Sequence, residues 1–261
     1  MTQPTANLTL SLARSGGASL GLSLSLSTGT SAVPPVVGSA LWLDALRPGT
    51  LFQDAARTTL AGVGDPVGSW FDPDAGIGAT QSGAARPVRA AAGLTFDGVN
   101  DALVMGALPV HTWPGMTWIQ VMQFAAPLFD YMALGSIAQS SVARWGFGHG
   151  DAPNRHGWAG SAANVGLGSP VGNHSAATPY VVAYRKSAAD WRIQRNAVDG
   201  SSIADTSFPT AAPTIWLGAE AISSSWFFGE ARMILVYPRA LSDAELSAVV
   251  AWAAARHGVT L

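Results

Sequence analysis

The chain has 261 residues, of which 48% are hydrophobic, enough apolar side chain for a packed globular core. Only 11% are charged and the net charge is −2, so the sequence lacks the cationic stripe that a nucleic-acid-binding protein sets against phosphates. Cysteine is absent, which excludes disulfides and thiolate metal sites, and no apolar run reaches the roughly 20 residues that span a bilayer. We therefore expect no nucleic-acid partner and no membrane insertion.

The first 36 residues have a pattern of their own. Leucines alternate with small residues in two runs, and Ser15-Gly16-Gly17 between the runs is a turn signal. A period of two is typical of β-strands, so we predict a two-stranded ribbon with one leucine face. The leucines of that face are Leu8, Leu10, Leu12, Leu20, Leu22, Leu24 and Leu26.

An isolated two-stranded ribbon is at best marginally stable in water, so these leucines should be covered by another polypeptide. The partner would be further copies of the chain or a docking protein; a flexible tail or a ribbon folded back on its own domain is the alternative. Val33-Pro34-Pro35-Val36 then forms a stiff, extended linker. We therefore divide the chain into an assembly segment, residues 1–36, and a globular domain, residues 37–261, and expect a homo-oligomer.

From Leu41 onward, short apolar segments alternate with Gly, Pro, Asn and Asp turns, a pattern that predicts a β-sandwich or β-barrel. One helix is expected at the end of the chain. Ser242-Asp243-Ala244-Glu245 is a capping box, and Arg256-His257-Gly258 is a helix end. The predicted strands are Leu94–Phe96, Ala102–Met105, Thr117–Phe124, Tyr131–Leu134, Trp145–Phe147, Val181–Tyr184, Trp191–Arg195, Thr214–Leu217 and Ala231–Tyr237.

Five short segments follow one another in a characteristic order along residues 40–261. They are Leu41-Trp42-Leu43-Asp44-Ala45, Val67-Gly68-Ser69-Trp70, Arg86-Pro87, Leu94-Thr95-Phe96-Asp97-Gly98-Val99-Asn100-Asp101 and the stretch from Ile234 to Leu246. This ordered set, and not any one segment, resembles the concanavalin A-like, laminin-G-like jelly-roll family. The resemblance implies an all-β fold of two packed antiparallel sheets, with glycan binding through rim loops or on the concave face.

A jelly roll mounted on a leucine ribbon also resembles the adsorption spikes and fibres of phages and gene transfer particles. We therefore expect a non-catalytic, carbohydrate-binding spike or fibre protein that attaches a particle to host capsular polysaccharide. A purely structural decoration protein is the alternative, and a polysaccharide depolymerase is a third. The N-terminus lacks the basic region of a secretion signal, so we expect a virion-type particle made in the cytoplasm and released by lysis.

The stretch from Trp145 to His174 is the candidate glycan site. Sugar sites combine an aromatic platform for C–H faces with amides, carboxylates and guanidinium groups for hydroxyls, and glycines between them let backbone approach the ligand. The alternative is that the tryptophans fill the core. The candidate residues are Trp145, His149, Asp151, Asn154, Arg155, His156, Trp158, Asn173 and His174.

A second, weaker glycan site is the hairpin around Arg185, Lys186, Asp190, Trp191 and Arg192, whose basic side chains could face an acidic polysaccharide or be ordinary solvated charges. We expect the second alternative.

Other chemistry has weaker support. Asp97, Asn100 and Asp101 carry hard oxygen ligands, so calcium is possible, although Asx side chains in turns usually bind nearby amides. No other cofactor or metal is expected. Glycosidases of this fold carry a Glu-x-Asp-x-x-Glu motif that the chain lacks, and Asp72-Pro73-Asp74 looks like a turn. The sequence therefore predicts a protein that is not an enzyme.

Overall fold

The structure is a computed structural model. It describes residues 7–14, 20–27, 31–106, 108–125, 132–140, 143–149, 155–161, 165–168, 177–204, 206, 214–219 and 226–261. Within these residues the chain forms nineteen strands, a 3₁₀ turn at Val110–Thr112 and one α-helix, α1 (Asp243–His257). No described helix is long and apolar enough to cross a membrane.

The strands are short, as the closely spaced turn signals predict. In chain order they are β1 (Asn7–Arg14), β2 (Leu20–Ser27), β3 (Leu41–Asp44), β4 (Leu51–Phe52), β5 (Ser69–Asp72), β6 (Ile77–Thr80), β7 (Val88–Arg89), β8 (Leu94–Asp97), β9 (Leu103–Met105), β10 (Met116–Phe124), β11 (Met132–Ser140), β12 (Ala143–His149), β13 (Arg155–Ser161), β14 (Val165–Gly168), β15 (Tyr180–Lys186), β16 (Asp190–Arg195), β17 (Val198–Ala204), β18 (Thr214–Leu217) and β19 (Phe228–Tyr237).

Two antiparallel sheets make the domain. The eight-stranded sheet has the order β17-β16-β15-β10-β19-β8-β7, with β3 also paired to β19. The nine-stranded sheet has the order β14-β13-β12-β11-β18-β9-β6-β5-β4. Several neighbours in these orders, such as β10 with β19 and β11 with β18, are far apart in sequence, as the crossing connections of a jelly-roll sandwich require. The predicted all-β, two-sheet fold is confirmed.

The main core lies between the two sheets and is rich in aromatic side chains. Trp118 on β10 stacks on Phe147 of β12, with ring centroids 4.5 Å apart and planes inclined by 12°. Beside them, Gln120 is fully buried: its Oε1 accepts from Trp118 Nε1 at 2.9 Å, and its Nε2 donates to the Phe147 carbonyl at 3.4 Å. These contacts join the sheets across the core.

Helix α1 covers the outer face of the eight-stranded sheet. Its side chains Leu246, Val249 and Val250 pack on alternate residues of β10, β15 and β19 in a second apolar cluster. The capping box is present: Ser242 Oγ accepts from the Glu245 amide, and Glu245 Oε2 accepts from the Ser242 amide at 2.9 Å. The helix ends at Gly258, which has φ 65°. The expected helix is confirmed.

The N-terminal segment forms the ribbon that the alternation predicts. Strands β1 and β2 pair antiparallel as a sheet of their own, and the register sets Leu8 opposite Leu26, Leu10 opposite Leu24 and Leu12 opposite Leu22. Leucine is therefore paired with leucine along the ribbon. What covers the ribbon stays a prediction.

Residues 31–40, here called the strap, lie against the helix-covered side of the domain. Trp252 Nε1 on α1 donates to the Ser31 carbonyl at 2.8 Å. Tyr237 Oη donates to the Val36 carbonyl at 2.9 Å, and the Ala40 amide donates to the Val236 carbonyl at 2.8 Å. Because Val36 also packs on the outer apolar cluster, the predicted linker is attached to the domain along its length.

Candidate functional site

One continuous row of cross-strand pairs runs over the whole nine-stranded sheet. We call it the outer row. From one edge to the other it contains Phe52, Ser69, Thr80, Val104, Trp216, Ser136, Gly146, Trp158 and Gly166. Residues directly opposite each other in an antiparallel pair lie on the same face of a sheet, so this row defines one face.

The adjacent row lies on the opposite face, which is the core face. This inner row contains Leu51, Trp70, Ala79, Met105, Ile215, Ile137, Trp145, Ala159 and Val165. Its members from Leu51 to Ile215 are buried in the main core. The outer row therefore belongs to the face away from the core, which we call the open face. The described side chains of the outer row are partly buried, except that of Ser69, which is fully buried.

The two tryptophans of the predicted glycan site fall on different rows. Trp145 is opposite Ala159 in the inner row, and Trp158 is opposite Gly146 in the outer row. In the described residues this stretch forms β12, β13 and β14, an antiparallel meander; the strand predicted at Trp145–Phe147 lies in β12, whereas β13 and β14 were not predicted. Its glycines, placed between polar residues, mark strands of small side chains as well as turns.

The remaining candidate residues are distributed over the same meander. His149 ends β12, opposite Met132, and Arg155 begins β13, opposite Gly168, with His156 next to it. The other four, Asp151, Asn154, Asn173 and His174, lie outside the described residues. The glycan site proposed for these residues stays a prediction.

The open face carries an aromatic side chain that the sequence did not single out. Trp216 on β18 is partly buried and Val104 beside it is also partly buried, whereas Thr214 is exposed. Between Trp216 and Trp158 the outer row has only Ser136 and Gly146, so small residues separate two tryptophans by three strand spacings, about 14 Å. An indole on a strand face is a platform for the apolar face of a sugar ring.

A second described feature of the open face is the stack of Arg57 on Phe71. The guanidinium carbon of Arg57 lies 4.0 Å from the centroid of the Phe71 ring. Phe71 is two residues from Ser69 on β5, so it lies on the same face as the outer row, and it is partly buried while Arg57 is exposed. The alternation of β5 could have suggested Phe71; nothing in the sequence suggested Arg57.

The second predicted hairpin is held by internal contacts. Arg185 lies within hydrogen-bond distance of the Leu241 carbonyl (2.9 Å) and of Asp243 Oδ1 (2.5 Å), and Arg192 Nε contacts Asp190 Oδ2 at 2.8 Å. A cleft of about 390 Å³ lies between these groups. Lys186 is fully buried: its Nζ donates to the Ser187 carbonyl and lies 5.9 Å from the centroid of the Trp191 ring. The expectation that these are ordinary solvated charges is therefore wrong for Lys186.

The calcium candidates form a turn. Asp97 Oδ1 accepts from the amides of Val99 at 2.8 Å and Asn100 at 3.1 Å, and Asp101 Oδ2 accepts from the Asp97 amide at 3.0 Å. Burial opposes ionisation of Asp97, but these amide donors outweigh it and lower its pKa; burial raises the pKa of Asp101. Among the described residues there is no group of three or more His, Asp or Glu that could hold a metal ion.

The other carboxylates weighed from the sequence also have protein partners. Asp72 accepts from the Trp42 amide at 2.7 Å, and Asp74 pairs with Arg47 at 2.8 Å. Arg239 and the Ser242 cap lower the pKa of Glu245 to about 2. Glu230 is paired with Arg232, and Glu220 lies outside the described residues.

The sequence matches no family model and no curated protein. Solved structures do share its fold. Trypanosoma rangeli sialidase in complex with sialic acid matches with a TM-score of 0.60 and 14% identity over 88% of this chain and 35% of that chain. The sialidase without a named ligand matches with a TM-score of 0.59 and 15% identity over 89% of this chain and 36% of that chain. Domain 4 of AbnA, a GH43 extracellular arabinanase from Geobacillus stearothermophilus, is in complex with arabinotriose. It matches with a TM-score of 0.52 and 12% identity over 67% of this chain and 81% of that chain.

At these identities the likeness establishes the fold. The chain spans about a third of the length of the sialidases, and it has the jelly-roll sandwich of proteins that bind or cleave carbohydrates. The expectation that the protein is not an enzyme is wrong, because its structural neighbours are sialidases and an arabinanase. The absence of a Glu-x-Asp-x-x-Glu motif does not exclude catalysis, since catalytic carboxylates can converge from distant strands.

Proposed function

We propose that this protein recognises carbohydrate on the open face of the nine-stranded sheet. The observation that carries the proposal is the outer row, in which Trp216 and Trp158 are separated by Ser136 and Gly146. A saccharide chain laid across the strands would stack on the Trp216 indole and follow the row toward the register position of Trp158, and the small residues between them would let it approach the backbone. Domain 4 of the arabinanase, which has the same fold, is in complex with arabinotriose and supports this use of the fold.

The wider setting is a particle that attaches to the polysaccharide of a cell surface. Helix α1 and the strap cover the outside of the eight-stranded sheet, whereas the open face is the outside of the other sheet. The chain therefore enters the domain on the side opposite the open face. We propose that the leucine ribbon binds further copies or other particle proteins, which would direct the open face of each copy outward. Several weak sites on one particle would then bind together.

The test is a binding assay on purified capsular polysaccharide and a glycan array, with the full chain. Trp216→Ala and Trp158→Ala are expected to weaken binding about tenfold or more, near 1.4 kcal/mol each. Trp113→Ala is the control, because Trp113 is a partly buried tryptophan outside the outer row. The proposal is overturned if the folded chain binds no glycan, or if Trp216→Ala binds as well as Trp113→Ala.

Hydrolysis of the bound polysaccharide is a second candidate, favoured by the enzymes among the structures that share the fold. The same samples can be assayed for new reducing ends released from the polysaccharide. Release that a single carboxylate substitution abolishes would support hydrolysis, and binding without release would leave recognition as the function.

A further inference from the structure

Arg57 is fixed on the open face in an unusual backbone conformation. Its φ is 62°, in the left-handed region that residues other than glycine rarely occupy. The loop that holds it is closed by Asp54, whose carboxylate accepts from the amides of Thr58 at 3.1 Å and Thr59 at 2.9 Å, while the Arg57 amide donates to the Asp54 carbonyl at 3.1 Å. The loop thus sets the guanidinium over the Phe71 ring.

Within the described part of the chain, the stacked guanidinium of Arg57 has no hydrogen-bond or ion-pair partner, so its polar edges can meet a ligand. The nearest carboxylate along the chain, that of Asp54, is bound by the threonines, whose hydrogen bonds lower its pKa. Among the described residues, no Asp or Glu oxygen lies within 4.0 Å of the Arg57 side-chain nitrogens. A guanidinium held flat on an aromatic ring presents a preformed fork that matches a carboxylate or a sulfate.

The strands beneath it supply no opposing charge. On the open face, the described side chains of β4, β5, β6, β9 and β18 are all uncharged. They are Phe52, Ser69, Phe71, Gly78, Thr80, Val104, Thr214 and Trp216.

We infer that the open face binds an anionic glycan, and that Arg57, stacked on Phe71, binds the acidic group of one sugar unit. The inference rests on the proposed function and names its ligand class. From β5 to β18 is three strand spacings, about 14 Å. One chain of a few sugar units could therefore contact both Arg57 and the Trp216 indole. Because no described charged side chain of the strands beneath opposes it, the Arg57 cation is available to a single anionic group of the ligand.

The experiment compares charged and neutral forms of the same polymers as immobilised ligands for the full chain. Polygalacturonate is paired with its carboxyl-reduced form, and dextran sulfate with dextran, so that a carboxylate and a sulfate are tested separately. We expect one charged polymer to bind at least about tenfold more tightly than its neutral form. Arg57→Gln should weaken binding of that charged polymer by about tenfold and leave binding of the neutral form unchanged. Arg239→Gln, which changes a partly exposed arginine beside helix α1 and outside every proposed binding site, should bind as the unsubstituted chain does.

Arg57→Gly separates binding from folding. Glycine accepts the positive φ without strain, so this variant should unfold at the same or higher denaturant concentration while losing the preference for the charged polymer. Equal affinity for charged and neutral polymers, or unchanged binding by Arg57→Gln, would overturn the inference and leave the proposed function standing. Loss of all polysaccharide binding in Trp216→Ala, with loss of only the charge preference in Arg57→Gln, would support both.

Discussion

His257 in the last turn of α1 should make the stability of the domain depend on pH. Its imidazole is enclosed between the helix and the eight-stranded sheet, with Nε2 3.6 Å from Asp44 Oδ1, and neither ring nitrogen has a hydrogen-bond partner among the described residues. Burial lowers the pKa of His257 to about 4; Asp44 opposes the shift, and the charges of Arg256 and Arg232 add to it.

The sign follows from which state of the chain binds the proton. The unfolded histidine titrates near pH 6.5, whereas the folded chain takes up the proton only near pH 4. Between these values the unfolded state binds more protons than the folded state. The contribution of neutral His257 to the free energy of unfolding is therefore fully present well above pH 6.5, and it is lost as the pH falls toward 4. The loss is about 2 kcal/mol at pH 5 and about 3 kcal/mol at pH 4.

Urea unfolding of the full chain at about pH 7.5 and pH 5, followed by tryptophan fluorescence, measures this loss. His257→Gln should lose about 2 kcal/mol less between the two pH values than the unsubstituted chain. Val249→Ala removes two fully buried methyl groups from the same helix and no titratable group, so it should keep the original pH dependence. If His257→Gln loses as much stability as the unsubstituted chain, the reasoning is refuted.

Three further predictions concern the folded domain. Gly218→Ala should lower the free energy of unfolding by several kcal/mol, because Gly218 has φ +84° and the added Cβ would lie 2.2 Å from the Phe96 ring. Gly76→Ala, with φ +69° and open space around the Cβ, should lower it by only about 1 kcal/mol in the same urea assay. Equal losses in the two variants would show that the close approach to Phe96 does not matter. Ser242→Ala should lower the free energy of unfolding by about 1 kcal/mol through loss of the cap, and Ser247→Ala, exposed within the same helix, should not lower it. Asp97→Ala should cost about 1 to 2 kcal/mol whether calcium chloride or a chelator is present. A rise in melting temperature with calcium that this variant abolishes would instead make Asp97 a calcium ligand.

The parts of the fold that local patterns specify could be predicted from the sequence. The capping box, the leucine alternation and the apolar strands around Thr117–Phe124 each depend on residues within ten positions of one another. Trp216 and Trp158 could not be connected this way, because their common row depends on pairings among four strands, three of them consecutive and the fourth more than 50 residues further along the chain. Strand register is a tertiary property, and a shift of one residue exchanges the two faces.

The polar contacts of Arg232 also could not be predicted from the alternation of apolar and polar residues. The pairing of β10 with β19 contains a bulge. On β10, Val121 is opposite Met233 and the next residue, Met122, is opposite Ala231, so Arg232 of β19 has no residue opposite it. The intervening Arg232 bonds to Glu230, Gln123 and the His257 carbonyl. A bulge of this kind changes which residues face the core, and alternation alone cannot reveal it.

The strap determines how the domain would bear mechanical load. A pull on the ribbon would reach the domain first at the Ser31 carbonyl and its bond from Trp252, then at Val36 and Tyr237, and last at Ala40 and Val236. These bonds would break one after another before tension reached β3, which pairs with β19. A particle tethered through the ribbon could thus yield in small steps at the strap while the sandwich and its open face stayed intact.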